Sequence, residues 1–144
     1  MKIRGTSQVL NRLKRVSSQA TLQTKSAVVR NTDQIYAEAV ANVPVRDGYL
    51  RGSGNTNYSD NQLTGTVAFG GNAAPYAPYV EFGTGRGFGI PTYKYGLTQN
   101  RLMSFAGQFK TGGNKNNMPY RPYLFNSFDK QYSALFRSLN NFKK

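Results

Sequence analysis

Six acidic residues, Asp33, Glu38, Asp47, Asp60, Glu81 and Asp129, are the whole carboxylate inventory of this 144-residue chain. They are scattered, and no two stand at the spacing of a recognised metal or acid/base motif. Two of them could meet only through the fold, as the carboxylates of glycosidases do. The sequence contains no Cys and no His. That removes thiol nucleophiles, disulfides and thiolate metal sites, together with the commonest general base and metal ligand. The expectation is a protein that is not an enzyme, with no catalytic, cofactor-binding or metal site. Glu81 is the most informative acid because it sits among Tyr76, Tyr79, Val80 and Phe82. A carboxylate in so apolar a stretch needs a partner once folding buries it. A structural ion pair with Arg51 or Arg121 is the expected one. Gly83-Thr84-Gly85-Arg86-Gly87 is glycine-rich, but it lacks the Lys-Ser/Thr ending of a phosphate loop and the context of a dinucleotide fingerprint. It reads as a turn whose Arg86 is a candidate for contact with phosphate or an acidic partner.

Basic residues are abundant by comparison: 19 Lys and Arg give a net charge of +13. Such a balance attracts polyanions, with nucleic acid as the first candidate. A membrane surface, an acidic protein partner or simple solubility are the alternatives. Lys2, Arg4, Arg12, Lys14, Arg15, Lys25 and Arg30 all precede the first acid, Asp33. Of these, Arg12, Lys14, Arg15, Lys25 and Arg30, together with Arg86, are the candidate DNA-facing or interface residues. For any one of them a solvated helix face is the competing reading. Tyr93-Lys94-Tyr95 and Tyr120-Arg121 interleave aromatic and basic side chains, which would suit a non-specific nucleic-acid-binding module.

These residues must be positioned by elements that the sequence patterns predict. Length fits one domain spanning residues 1–144, and 10 Tyr and 9 Phe without Trp predict a core dominated by aromatic packing. Residues 6–42 contain neither Gly nor Pro and predict a helix ending before Pro44. Val9, Leu13, Val16 and Ala20 line one face, and Val29, Tyr36, Val40 and Val43 form a second stripe. The polar stretch 21–26 separates them. A continuous helix of this length would span ~55 Å, so either a kink at 21–26 or a first half packed on a neighbouring subunit is expected. Asp47-Gly48 pivots a turn, and 49–58 and 63–69 read as strands joined by Ser59-Asp60-Asn61. Gly52 and Gly54 mark a bulge or a close backbone approach. Pro78 and Gly83 would open and close a short helix. Residues 85–118 read as a long loop with a short turn near 102–109. Phe125, Phe128, Tyr132, Leu135, Leu139 and Phe142 then define an amphipathic C-terminal helix over 122–141, with that stripe as core. The fold class is therefore α+β: a long N-terminal helix, a small antiparallel sheet and a C-terminal helix packed on the sheet. No window is apolar enough for a membrane span, the N-terminus lacks the apolar stretch of a secretory signal, and the mean hydropathy is −0.57. The chain is expected to be soluble and cytoplasmic at synthesis.

Three segments carry a resemblance. Pro44-Val45-Arg46-Asp47-Gly48-Tyr49-Leu50-Arg51-Gly52-Ser53 is similar to a Pro-containing turn leading to Gly-x-Leu-Arg-x-Ser. Tyr76-Ala77-Pro78-Tyr79-Val80-Glu81-Phe82-Gly83-Thr84 resembles a Tyr-Ala-x-Tyr-Val-Glu-Phe-Gly-Thr block. Arg121-Pro122-Tyr123-Leu124 resembles an Arg-Pro-Phe-Leu that opens a final helix. In this order, and after a long helix, they resemble the neck or tail-completion (head–tail joining) proteins of long-tailed bacteriophages, over about residues 6–140. Asp47 and Gly54 depart from the pattern, where Thr and an apolar residue are usual. The resemblance implies a structural subunit of the virion neck, assembled in the host cytoplasm as a homo-oligomeric ring, six-fold by expectation. Its implied partners are the head connector and the tail terminator or tail-tube proteins, with double-stranded DNA passing non-specifically through the lumen and no membrane. Another head–tail ring component, an adaptor or tail terminator, is the nearest alternative.

Overall fold

The computed structural model describes residues 6–84, 99–110 and 118–140. The fold class is the α+β one expected, with a long first helix, a two-stranded antiparallel sheet and a C-terminal helix. Helix α1, Thr6–Asn42, is one continuous element of 37 residues. It passes through the polar stretch unbroken, and hydroxyls in and before that stretch bond back to their own helix: Ser18 to the Lys14 carbonyl, Thr21 to Ser17 and Thr24 to Ala20, each at 2.8–2.9 Å.

The short helix α2, Tyr49–Gly52, occupies what the alternation suggested was the start of a strand. Gly48, at φ 80°, turns the chain into it, and burying Leu50 in the core outweighs the strand propensity of Tyr49. Strand β1 is therefore only Asn55–Tyr58, and β2 is Gly65–Ala68 rather than 63–69. They pair antiparallel with Asn55 opposite Ala68 and Tyr58 opposite Gly65. The connection is longer than the expected three residues: Ser59 and Thr64 pair their backbones across it at 3.0 Å, and Gln62 adopts φ 56° inside it.

Helix α3, Ala77–Phe82, has Pro78 in its first turn and ends at Gly83, as the sequence predicts. Helix α4, Gln99–Lys110, corrects the reading of 85–118 as a loop with one short turn. Leu102 and Ala106, one helical turn apart, are buried against Phe82. The Gln, Asn and Gly around them obscured that spacing in a single sequence. Residues 85–98 and 111–117 of that segment lie outside the described residues, and with them Arg86 and Tyr93-Lys94-Tyr95. Helix α5, Leu124–Asn140, closes the chain.

The second half of α1 is the spine of the molecule. Its main partner is α5 rather than the sheet. The helices run antiparallel: Asn42 donates to Ser127 at 3.4 Å, and Glu38 receives Lys130 at 2.8 Å and Gln131 at 2.9 Å. Burial raises the Glu38 pKa, but the hydrogen bonds from Lys130 and Gln131 and the Lys130 charge outweigh it and leave the carboxyl below its ordinary range. Phe125, Phe128, Tyr132, Leu135 and Leu139 of the expected α5 stripe are only half-buried and Phe142 lies outside the described residues, whereas Ser127 is fully enclosed. Phe128, Tyr132 and Phe136 form a tilted row with ring centres 5.7 and 6.3 Å apart, and Phe136 is exposed.

The hairpin lies against another side of α1. Tyr58 donates its hydroxyl to Asp33, and Tyr36 stacks on Phe69 with ring centres 6.0 Å apart. Glycine allows this approach at two positions. A Cβ on Gly54 would lie 2.6 Å from the Phe69 ring and 2.9 Å from Tyr36, whereas Gly52 faces open space. At Gly65 the added carbon would lie 2.8 Å from Cβ of Thr32, which is close to its own backbone and cannot swing aside. Gly65→Ala should therefore destabilise the protein by about 1–3 kcal/mol through overpacking. Urea denaturation checks this, and combining it with Thr32→Ala should restore part of the loss.

Candidate functional site

The three motif segments, far apart in sequence, converge on one place. Leu50 of the first, Ala77 of the second and Tyr123 of the third share a buried cluster with Ala39, Val43 and Ala74. Ser53 bridges two turns there, donating to the Leu50 carbonyl at 2.7 Å and accepting the Gly70 amide at 2.9 Å. Phe69 meets Tyr123 edge-on at 5.3 Å.

Glu81 is at the centre, 3% exposed. Its Oε2 accepts the amides of Tyr123 at 2.9 Å and Leu124 at 3.1 Å, and its Oε1 accepts the Phe125 amide at 3.0 Å. These are amides at the start of α5, which has no acidic residue in its own first turn. Helix N-termini leave amides unsatisfied and carry partial positive charge, so a carboxylate brought from α3 supplies what Tyr123 and Pro122 cannot. Lys130 pairs with Glu38 at 2.8 Å, and among the described residues no ion pair joins Glu81 to Arg51 or Arg121. The expected Glu81 bridge to Arg51 or Arg121 is thus not what the fold builds. The cause is geometric: Arg121 takes part through its backbone, whose amide donates to the Val80 carbonyl at 2.8 Å, and the side chains of Arg51 and Arg121 are exposed.

The neighbours of Glu81 complete a latch between α3 and the entry to α5. Thr84 and Met118 exchange two hydrogen bonds of 3.0 Å, the Thr84 amide to the Met118 carbonyl and the Met118 amide to the Thr84 hydroxyl. Gly83, at φ 73°, permits this, because a Cβ there would lie 2.6 Å from the Met118 carbonyl oxygen. Phe82, 1% exposed, faces the other way into rings of Phe105 at 5.6 Å, Phe109 at 6.1 Å and Phe125 at 5.6 Å. Sequence reasoning missed this aromatic cluster. The Leu102–Ala106 and Phe105–Phe109 spacings of four were the signal that could have found it.

The basic candidates lie on α1. Arg12, Lys14, Arg15 and Arg30 are exposed and Lys25 is half-buried. At about 100° per residue, Arg12 and Arg30 share an azimuth, Lys14 and Lys25 fall roughly 150° away, and Arg15 lies between them, so all five fall within an arc of about 160°. They form one broad basic face, on the other side of the helix from the apolar stripe. The apolar residues are more coherent: Val9, Leu13, Val16 and Ala20 fall on the side that carries Ala27, Asn31, Glu38 and Asn42 further along, the side on which α5 packs. Helix α5 ends at Asn140, near Ala27, so all of residues 6–23 are exposed. Leu13 and Val16 are 60% and 63% exposed.

In every motif the distinctive residues join one element to another, and among the described residues no group of His, Cys, Asp or Glu could hold a metal. Fold and site define a small α+β chain whose motif residues tie its elements together. Residues 7–83 match the family model described as "Bacteriophage HK97-gp10, putative tail-component", and the chain belongs to this HK97-gp10-like family. Comparison with curated proteins and with solved structures gives no match. The protein is thus a structural tail component of a bacteriophage, located in the virion, where its partners are other head and tail proteins. No helix among the described residues is long and apolar enough to cross a membrane.

The latch generates two expectations. Glu81→Gln replaces one acceptor oxygen with an amide that faces a donor, and should lower stability by about 2–3 kcal/mol. A shifted urea midpoint at unchanged slope would register that loss. Burial, with the nearby Glu81 and Tyr76 charges, pushes the Tyr123 phenol far above its ordinary value. A raised folded-state pKa contributes stability that is complete below the unfolded value of about 10 and is lost as pH rises above it. Thermal stability of the wild type should therefore fall above that pH, and Tyr123→Phe should blunt the fall.

Proposed function

We propose that this protein is a subunit of the phage head–tail joint, a single-domain chain that forms a closed, six-fold ring completing the tail and connecting it to the head. Its neighbours are the head connector on one side and the tail terminator or tail-tube proteins on the other. Double-stranded DNA passes through the lumen, held non-specifically through phosphates by Arg12, Lys14, Arg15, Lys25, Arg30 and Arg86. Synthesis and assembly take place in the host cytoplasm. Arg51 and Arg121, exposed beside the latch, serve as contacts on the ring's protein face.

One observation carries this reading. A helix half of 18 residues is left over by its own fold, with an apolar stripe facing the solvent. An unpartnered apolar stripe is a liability for a monomer and an asset for an assembly subunit. The resemblance of the three motifs to neck proteins supports the position, and the net charge of +13 would suit a lumen through which DNA passes.

The test is complementation of a phage lacking this gene with the double variant Val9→Asp, Val16→Asp. Both sites are exposed, so circular dichroism and melting temperature should stay within a few degrees of wild type. Particle yield should fall by at least tenfold, with free heads and free tails accumulating on a sucrose gradient. Normal yields of complete virions from this variant would overturn the reading.

A further inference from the structure

The two ends of α1 carry two different exposed apolar surfaces. At the N-terminal end is the stripe of Val9, Leu10, Leu13 and Val16, each 56–63% exposed. Beyond the C-terminal end, past Pro44, is a hollow of about 440 Å³ whose walls include Leu50, Tyr76, Tyr79, Val80, Met118 and Pro119. Its mouth is aromatic: Tyr76 is 41% and Tyr79 42% exposed, and Tyr49 nearby is 66% exposed. Asp47 lies on its rim with Arg46 and Arg121.

These surfaces cannot satisfy each other within one molecule, because a continuous helix of ~55 Å holds them apart. We propose that the occupant is a second copy of this chain: the free half of α1 lies across the hollow of the next subunit, Leu13 seated between its Tyr76 and Met118. This rests on the ring reading and specifies which two patches of each subunit meet.

The area fits. The large apolar side chains of the stripe offer on the order of 100 Å² each, and Leu22, half a turn round the helix from Leu13, is not among them. The aliphatic stems of Arg12 and Lys14 beside them bring the total towards the roughly 800 Å² per partner of a stable interface. Tyr and Met are enriched at the centres of such interfaces, and the hollow supplies both. Because donor and acceptor patches differ, the contact is heterologous, and repetition of it gives a ring or a filament rather than a two-fold dimer.

The absence of native Cys makes the test clean. In the full-length protein, Leu13→Cys and Met118→Cys are introduced singly and together, oxidised, and run on a non-reducing gel. The double variant should give a ladder of covalent multimers, and each single variant only monomer. Because every copy carries +13, sedimentation should show association strengthening with added salt, the reverse of DNA binding. Leu13→Glu should shift the association constant at least tenfold towards monomer without changing the melting temperature. An oligomer that forms without the 13–118 crosslink, or that survives Leu13→Glu, overturns this contact and leaves the ring standing. Dimers from Leu13→Cys alone would replace it with a symmetric helix pair. A chain that stays monomeric at every salt and at ~100 µM overturns both the contact and the ring.

Discussion

The carboxylate of Glu81 at the start of α5 is the contact on which the rest of the structure depends. Desolvating a carboxylate costs several kcal/mol unless the surroundings return it, and here three amide hydrogen bonds and a helix N-terminus do so. The consequence is positional. The cap fixes the residue at which α5 begins, and Asn42 against Ser127 fixes where that beginning sits along α1. From there 17 residues of α5 cover the second half of α1 and no more. The cap at one end of the molecule thus determines how much helix is left bare at the other.

The same region explains why the motif residues are of these types. Glu81 must be long enough to reach from α3 to the next helix, Phe82 must face the opposite way into α4 and α5, and Gly83 must admit the Met118 carbonyl. Thr84 then ties the segment to Met118 through both backbone and hydroxyl. Four consecutive residues make four different contacts, which leaves little latitude at any of them. Ser53 has a similar office for the first motif, joining α2 to the turn at Gly70.

Much of this was legible in the sequence, and the failures have physical causes. Helices α1, α3 and α5 announced themselves through the absence of Gly and Pro, a Pro–Gly bracket and a clear apolar period. Gly54 was recognisable as a point of close approach, though Gly65, which makes the tighter one, was read only as a strand residue. Residues 49–52 misled because Tyr and Leu suit a strand and only the burial of Leu50 decides for helix. Helix α4 was hidden by Gln, Asn and Gly, residues that usually punctuate loops. For Glu81 the need for a partner was clear, but an ion pair was the obvious solution. A cap supplied from 40-odd residues away leaves no local signal, because what it satisfies is backbone.

Charge and apolar surface act against one another in this molecule. A subunit of +13 repels its own copies over roughly 10 Å at moderate ionic strength, so apolar patches alone have to overcome that repulsion before two copies meet. The basic side chains of α1 border the very stripe that is free for contact. Screening the charge, by salt or by a polyanion threaded past the helix, would favour association by removing its main opponent. Copies joined end to end by α1 would feel this most, since each contact brings Arg12 and Lys14 up to a neighbour that carries Arg46 and Arg121. In such an arrangement the surplus of basic residues is a condition on assembly: it keeps free subunits apart and lets them close where negative charge is dense.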